Sequence, residues 1–114
     1  MVPDSTDRGA RNLEAERFYQ TTLDLFPGNT AVMDDWAAFA IEKQELNRAL
    51  GLLGRSLAID SRFADTYLLR AAVHMRMGSY PLAVTDYERA AQLDPKSAEA
   101  RQGLAAATKA LAGR

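Results

Sequence analysis

Apolar residues between Leu13 and Phe26 fall at Leu13, Phe18, Tyr19, Leu23 and Phe26, mostly three to five apart, the spacing that puts them on one side of a helix. Pro27-Gly28-Asn29 ends that run, and Asn29 or Thr30 can cap a second helix that carries Met33, Trp36, Ala37 and Ala40 on one side. After a short polar turn near Gln44, Ala49, Leu50, Leu53, Leu57 and Ile59 mark a third helix. Tyr67, Ala71 and His74 lie on one face of a fourth, and Gly78 stands just past its end, where a residue tolerant of positive φ is needed. Ser79 is placed to cap a fifth helix with Pro81 in its first turn, where the missing N–H costs nothing. Asp94-Pro95 stops it, and Ser97 opens a sixth helix with Leu104, Ala105, Ala107 and Leu111 on one side. The pattern predicts helices near 12–26, 31–43, 47–59, 64–77, 81–93 and 98–111, antiparallel between neighbours and without strands.

The same residue types return at a fixed step of 34: Ala15, Ala49 and Ala83; Tyr19, Leu53 and Tyr87; Thr22, Ser56 and Ala90; Pro27, Ser61 and Pro95. A period of this length with small residues and aromatics at fixed places is the signature of stacked helix-turn-helix units. Small side chains at Ala49 and Ser56, and at Ala83 and Ala90, let paired helices approach to roughly 8–10 Å.

Across Ala64 to Pro95 the chain resembles a tetratricopeptide repeat through Tyr67, Ala71, Gly78, Tyr80, Ala83, Tyr87, Ala90 and Pro95. Residues Thr30 to Phe63 resemble a second repeat, departing from the family pattern at Gln44, where glycine is usual, and at Ser61, where proline is usual. The resemblance implies an all-α superhelix of helical hairpins with this organisation: a flexible N-terminal leader over 1–10, the second helix of a partial repeat over 11–29, repeats over 30–63 and 64–97, and a capping helix over 98–114. A weaker likeness joins Trp36-Ala37, Ser56 to Asp60 and Tyr67 to Leu69 to the repeat tails of bacterial membrane proteins of the O-antigen ligase type.

Composition narrows the function. Of 114 residues, 47% are apolar and 25% charged, the mixture of a folded chain rather than a disordered one. A formal charge of −1 with both signs interspersed supplies no field to draw in nucleic acid or an anionic membrane. There is no cysteine, which removes disulfides, thiolate chemistry and cysteine metal sites and leaves the compartment open, cytoplasmic or extracytoplasmic. No apolar run long enough for a membrane span is present, so no direct insertion is expected.

The chain offers no catalytic constellation. His74 is the single histidine and sits on a face expected to pack against the next helix. Adjacent Asp34 and Asp35 point about 100° apart on a helix and cannot converge on one atom. Gly51 and Gly54 lack both the spacing of a phosphate loop and a preceding strand, and are expected to serve close helix packing. Trp36 reads as core, and Arg70, Arg76 and Arg89 do not form the basic recognition helix that DNA binding needs. The chain is therefore expected not to be an enzyme and to take no metal or cofactor.

The resemblance implies a concave groove built by the first helix of each repeat. Carried over position by position, it selects Ala31, Asp34, Ala38, Ile41 and Glu42 from one repeat and Asp65, Leu68, Ala72, Met75 and Arg76 from the next, with Glu99, Gln102, Ala106 and Lys109 from the cap. The lysine, asparagine and arginine with which some members grip a carboxylate tail are replaced here by Asp34, Ala38, Leu68, Ala72, Gln102 and Gly103. An apolar centre with an acidic edge suits a peptide or protein segment with apolar anchors and basic character. Leu68 and Met75 are expected at the surface, so that glutamate at both would abolish binding and spare stability. A second reading makes the chain an assembly or tethering tail of a larger protein, self-associating through its first helix, where Leu13, Glu16 and Leu23 lack a partner from their own repeat.

Overall fold

The computed structural model describes the backbone of residues 4–113 and the side chains of residues 12–113. Among the described residues six helices follow one another: α1 (Asp4–Leu25), α2 (Thr30–Glu42), α3 (Leu46–Ile59), α4 (Ala64–Arg76), α5 (Tyr80–Leu93) and α6 (Ala98–Ala112). Among the described residues there is no strand, and the architecture is an all-α superhelix.

Local chemistry sets the boundaries. The side-chain oxygen of Asn29 accepts the Val32 N–H at 3.1 Å and opens α2, and Ser97 does the same for α6, accepting from Ala100 N–H at 3.0 Å. Ser79 stands at the N-cap of α5 without that bond, so Pro81 in the first turn carries the start instead. The turn after α4 uses Gly78 at φ 74, and the turn after α2 puts Gln44 at φ 63. The first helix begins at Asp4 rather than near residue 12. Residues 4–10, expected as a flexible leader, thus continue α1, while residues 1–3 lie outside the described residues. Amphipathic spacing detects a buried face, whereas the backbone hydrogen bonding of a helix needs no such face to continue.

Helices α2 and α3 form one antiparallel hairpin and α4 and α5 another, with α6 on α5 and α1 against α2. The smalls at the crossings, Ala49, Ser56, Ala83 and Ala90, are all buried, which is what close helix approach requires. One core cluster holds Leu23, Met33, Trp36, Ala37, Ala40, Leu52 and Leu53; a second holds Leu68, Ala90 and Ala100. Tyr19 stacks on Trp36 with ring centroids 5.7 Å apart, joining α1 to α2.

Two packing expectations change. Leu23 is buried in the first cluster, and Glu16 is held by Lys43 and Arg48, each at 3.3 Å. The α1 edge is therefore anchored on its α2 side, because α2 of the following repeat covers it there. Gly51 and Gly54 have open space where a Cβ would stand, so neither serves close packing. The close approach is at Gly103, where a Cβ would fall on the ring of Tyr87.

Candidate functional site

The inner row of the superhelix is α2, α4 and α6, which touch side by side. Between them runs a groove of about 500 Å³ lined by Ala31, Asp34, Asp35 and Ala38 from α2, Asp65, Leu68 and Leu69 from α4, and Glu99 from α6. Steps of three and four residues along α2 and α4 keep these side chains on one face. Asp34, Asp35, Asp65 and Glu99 make four carboxylates, and no lysine or arginine is among the lining residues. The Thr66 hydroxyl donates to Asp34 Oδ2 at 2.6 Å and fixes that carboxylate across the α2–α4 seam. Its other oxygen, Oδ1, is buried without a hydrogen-bond partner.

Of the residues selected from sequence, Ala31, Asp34, Ala38, Asp65, Leu68 and Glu99 come together here. Ile41 does not: it is 6% exposed and belongs to the first core cluster. The end of α4 closes over it, with Val73 in the same cluster and Arg76 Nη1 donating to the Ile41 carbonyl at 3.4 Å. Leu68 is 7% exposed and packs with Ala90 and Ala100, so it is the buried floor of the groove rather than a displayed anchor. Ala72 and Met75 are half-buried and Glu42 and Arg76 exposed, all outside the lining. Asp35, Leu69 and Thr66 were not selected; the signal for Thr66 was its place beside Asp65 on the helix facing Asp34.

A polar cluster lies behind the groove. Arg70 Nε and Nη2 donate to Asp86 Oδ2 and Oδ1, both at 2.9 Å, a two-pronged pair joining α4 to α5. Asp86 is buried, and its hydrogen bond holds the Arg70 proton more firmly than usual. His74 Nε2 is 3.6 Å from Asp86 Oδ2. Burial pushes the His74 imidazole below its ordinary value of 6.5, opposed by the Asp86 charge and aided by that of Arg70. One period earlier the same places hold Trp36, Ala40 and Leu52, all apolar and buried. His74 is thus engaged in helix packing. Among the described residues no group of histidine, aspartate and glutamate is arranged to hold a metal, and no helix is long and apolar enough to cross a membrane.

Residues 64–107 match the family model of the tetratricopeptide repeat. Mouse DnaJ homolog subfamily C member 7 is 29% identical over 89 residues, covering 78% of this chain and 18% of that protein. Mouse serine/threonine-protein phosphatase 5 is 28% identical over 87 residues, covering 76% and 17%. The chain therefore spans less than a fifth of the length of these relatives. Among solved structures, the first TPR of Spaghetti (RPAP3) bound to the HSP90 peptide SRMEEVD superposes with a TM-score of 0.82, at 20% identity, over 96% of this chain and 89% of that one. Residues 64–107 are thus matched as a tetratricopeptide repeat, and the helical fold over nearly the whole chain is that of solved TPR domains.

Proposed function

We propose that this protein is a non-enzymatic interaction module whose concave groove takes an extended peptide segment bearing lysine or arginine. The observation that carries the reading is the sign of the groove: four carboxylates on α2, α4 and α6, no cation in the lining, and Leu68 and Leu69 beneath them. A carboxylate row of this kind steers cationic segments and rejects anionic ones. The first TPR of Spaghetti is described with the acidic-ended peptide SRMEEVD; support for a peptide partner comes from that likeness, while the charge of this groove argues for a partner of opposite sign. Two inner hairpins and a cap offer a small surface, so affinity in the micromolar range or weaker is expected.

The test is fluorescence anisotropy with paired peptides that differ only in lysine or glutamate at two positions. The lysine peptide should bind, weaken as salt rises, and lose affinity to Asp65→Lys. Equal or tighter binding of the glutamate peptide would overturn the assignment. A second reading, an assembly or tethering segment acting through α1, is favoured by the exposure of Leu13, Phe18 and Leu25 on that helix and of Phe26 just past its end.

A further inference from the structure

On the side of α2 turned away from the acidic groove lies a second cavity, of about 400 Å³, lined by Gln20 of α1, Trp36 of α2 and Arg48, Gly51, Leu52 and Arg55 of α3. Trp36 stands two residues from both Asp34 and Ala38, roughly 200° around the helix from each, so α2 itself is the wall between the two sites. The lining holds two arginines and no carboxylate, the reverse of the groove. Arg48 and Arg55 are two turns apart on α3, roughly 10 Å along its axis. Arg48 is already engaged: its guanidinium lies over the Trp36 ring, 5.7 Å from the centroid, and pairs with Glu16 at 3.3 Å and Glu45 at 3.7 Å. Arg55 is exposed and has no ion-pair or hydrogen-bond partner among the described residues. Leu52 and Trp36 form an apolar floor, 5% and 8% exposed, and the Trp36 Nε1–H is buried without an acceptor.

Gly51 has no structural reason to be in this lining. It stands inside α3, where glycine weakens a helix, yet it makes no turn, and nothing lies within 4 Å of where its Cβ would be. One period to either side the same place holds Arg17 and Thr85, so the repeat itself does not require glycine. What glycine does at this position is keep the cavity open, since a longer side chain would fill it. We propose that the cavity is a second binding site, across α2 from the groove, for a partner segment that places an aspartate or glutamate beside an apolar side chain: the carboxylate pairs with Arg55 and the apolar group lies over Gly51 and Leu52. The occupant is an acidic segment because both charged groups of the lining are cations and a basic segment would meet Arg55 with no carboxylate to offset it. A protein of this design bridges two partners, one held on each side of α2. The proposal uses no residue of the groove lining and stands independently of the peptide reading there.

Trp36 is the only tryptophan in the chain and belongs to the lining, so its emission reads this cavity directly. The probe is a tryptophan-free peptide with phenylalanine between two glutamates, set against a twin with lysines in their place. The glutamate peptide should change the Trp36 emission saturably, with affinity falling as salt rises, and Arg55→Glu should weaken it roughly tenfold or more. Gly51→Leu should abolish the change while Tm holds or rises, since the new side chain enters open space in a helix interior. Gly51→Ala, too small to block, should raise Tm and keep binding. No saturable change in the wild type, binding that survives both Gly51→Leu and Arg55→Glu, or a lysine twin whose response is as large and is likewise lost in Gly51→Leu would each overturn the proposal. The lysine and glutamate comparison for the groove is read on the Gly51→Leu protein, in which this cavity is filled, so failure at either site leaves the result for the other intact.

Discussion

Gln44 and Gly78 stand one period apart and share a left-handed backbone, with φ of 63° and 74°. Both close the turn between the two helices of a hairpin, and the backbone path rather than the side chain dictates the conformation. Glycine adopts it freely, whereas an L-residue with a Cβ is strained there by roughly 1–2 kcal/mol. The side chain of Gln44 is exposed.

Gln44→Gly is accordingly expected to stabilise the protein by about 1 kcal/mol, after the extra entropy glycine brings to the unfolded chain. For a domain of this size that is a rise in Tm of roughly 4–8 °C. Gly78→Gln should move Tm the other way by a similar amount. Thermal melts of the two variants check both signs.

Asp86 and Arg70 are expected to be strongly unequal to their sum. Asp86→Leu alone leaves the Arg70 guanidinium without its partner and should cost about 2–3 kcal/mol, below the full penalty of a buried pair because Arg70 is 31% exposed at its side chain. Adding Arg70→Trp copies the Trp36–Leu52 solution of the preceding hairpin and should recover most of the loss. Urea unfolding of the single and double variants measures the coupling.

His74 predicts a pH dependence. Its folded value is lowered, so between that value and 6.5 the unfolded chain binds more protons than the folded one, and stability must rise with pH across that interval. The contribution is fully present above about pH 6.5 and is lost as pH falls through the folded value. His74 Nδ1 is buried without a partner, which a neutral imidazole tolerates better than an imidazolium with a second N–H to satisfy. Denaturation midpoints from pH 7.5 down to about 5 should decline for the wild type, with the decline flattened in His74→Phe.

Leu68 is expected to fail as a surface probe. Glutamate at this buried floor position should cost at least about 3 kcal/mol through an unpaired charge against Ala90 and Ala100, lowering Tm with or without a peptide. Ala38→Glu and Asp65→Lys, at the groove wall, should leave helicity intact and change peptide affinity instead. Comparing Tm with anisotropy for the three variants separates floor from wall.

The helix boundaries that rest on a local signal were readable in the chain, since Asn29, Ser97, Gly78 and Pro81 stand where caps and turns need them, whereas the start of α1 at Asp4 was not. The groove was readable only in part. Asp34, Ala38 and Asp65 follow from the family resemblance carried over position by position, but whether Ile41 and Leu68 face the groove or the core depends on how far α4 leans over α2, which no periodicity reports. Pairing across helices escaped for the same reason: Arg70, His74 and Asp86 are far enough apart in sequence that only the antiparallel packing of α4 and α5 makes them neighbours. Gly103 carries no turn signal at all, since its role is to make room for Tyr87 on another helix.

The two hairpins fill one set of places with unlike matter, Trp36, Ala40 and Leu52 in the first and Arg70, His74 and Asp86 in the second, and this has a thermal consequence. Apolar burial weakens on cooling, whereas the cost of stripping water from an ion pair falls on heating. The first hairpin should therefore open sooner in the cold and the second hold its place relatively better in the heat, so that the molecule has no single weakest end. Which half exchanges its amide protons first then depends on the temperature at which the question is asked.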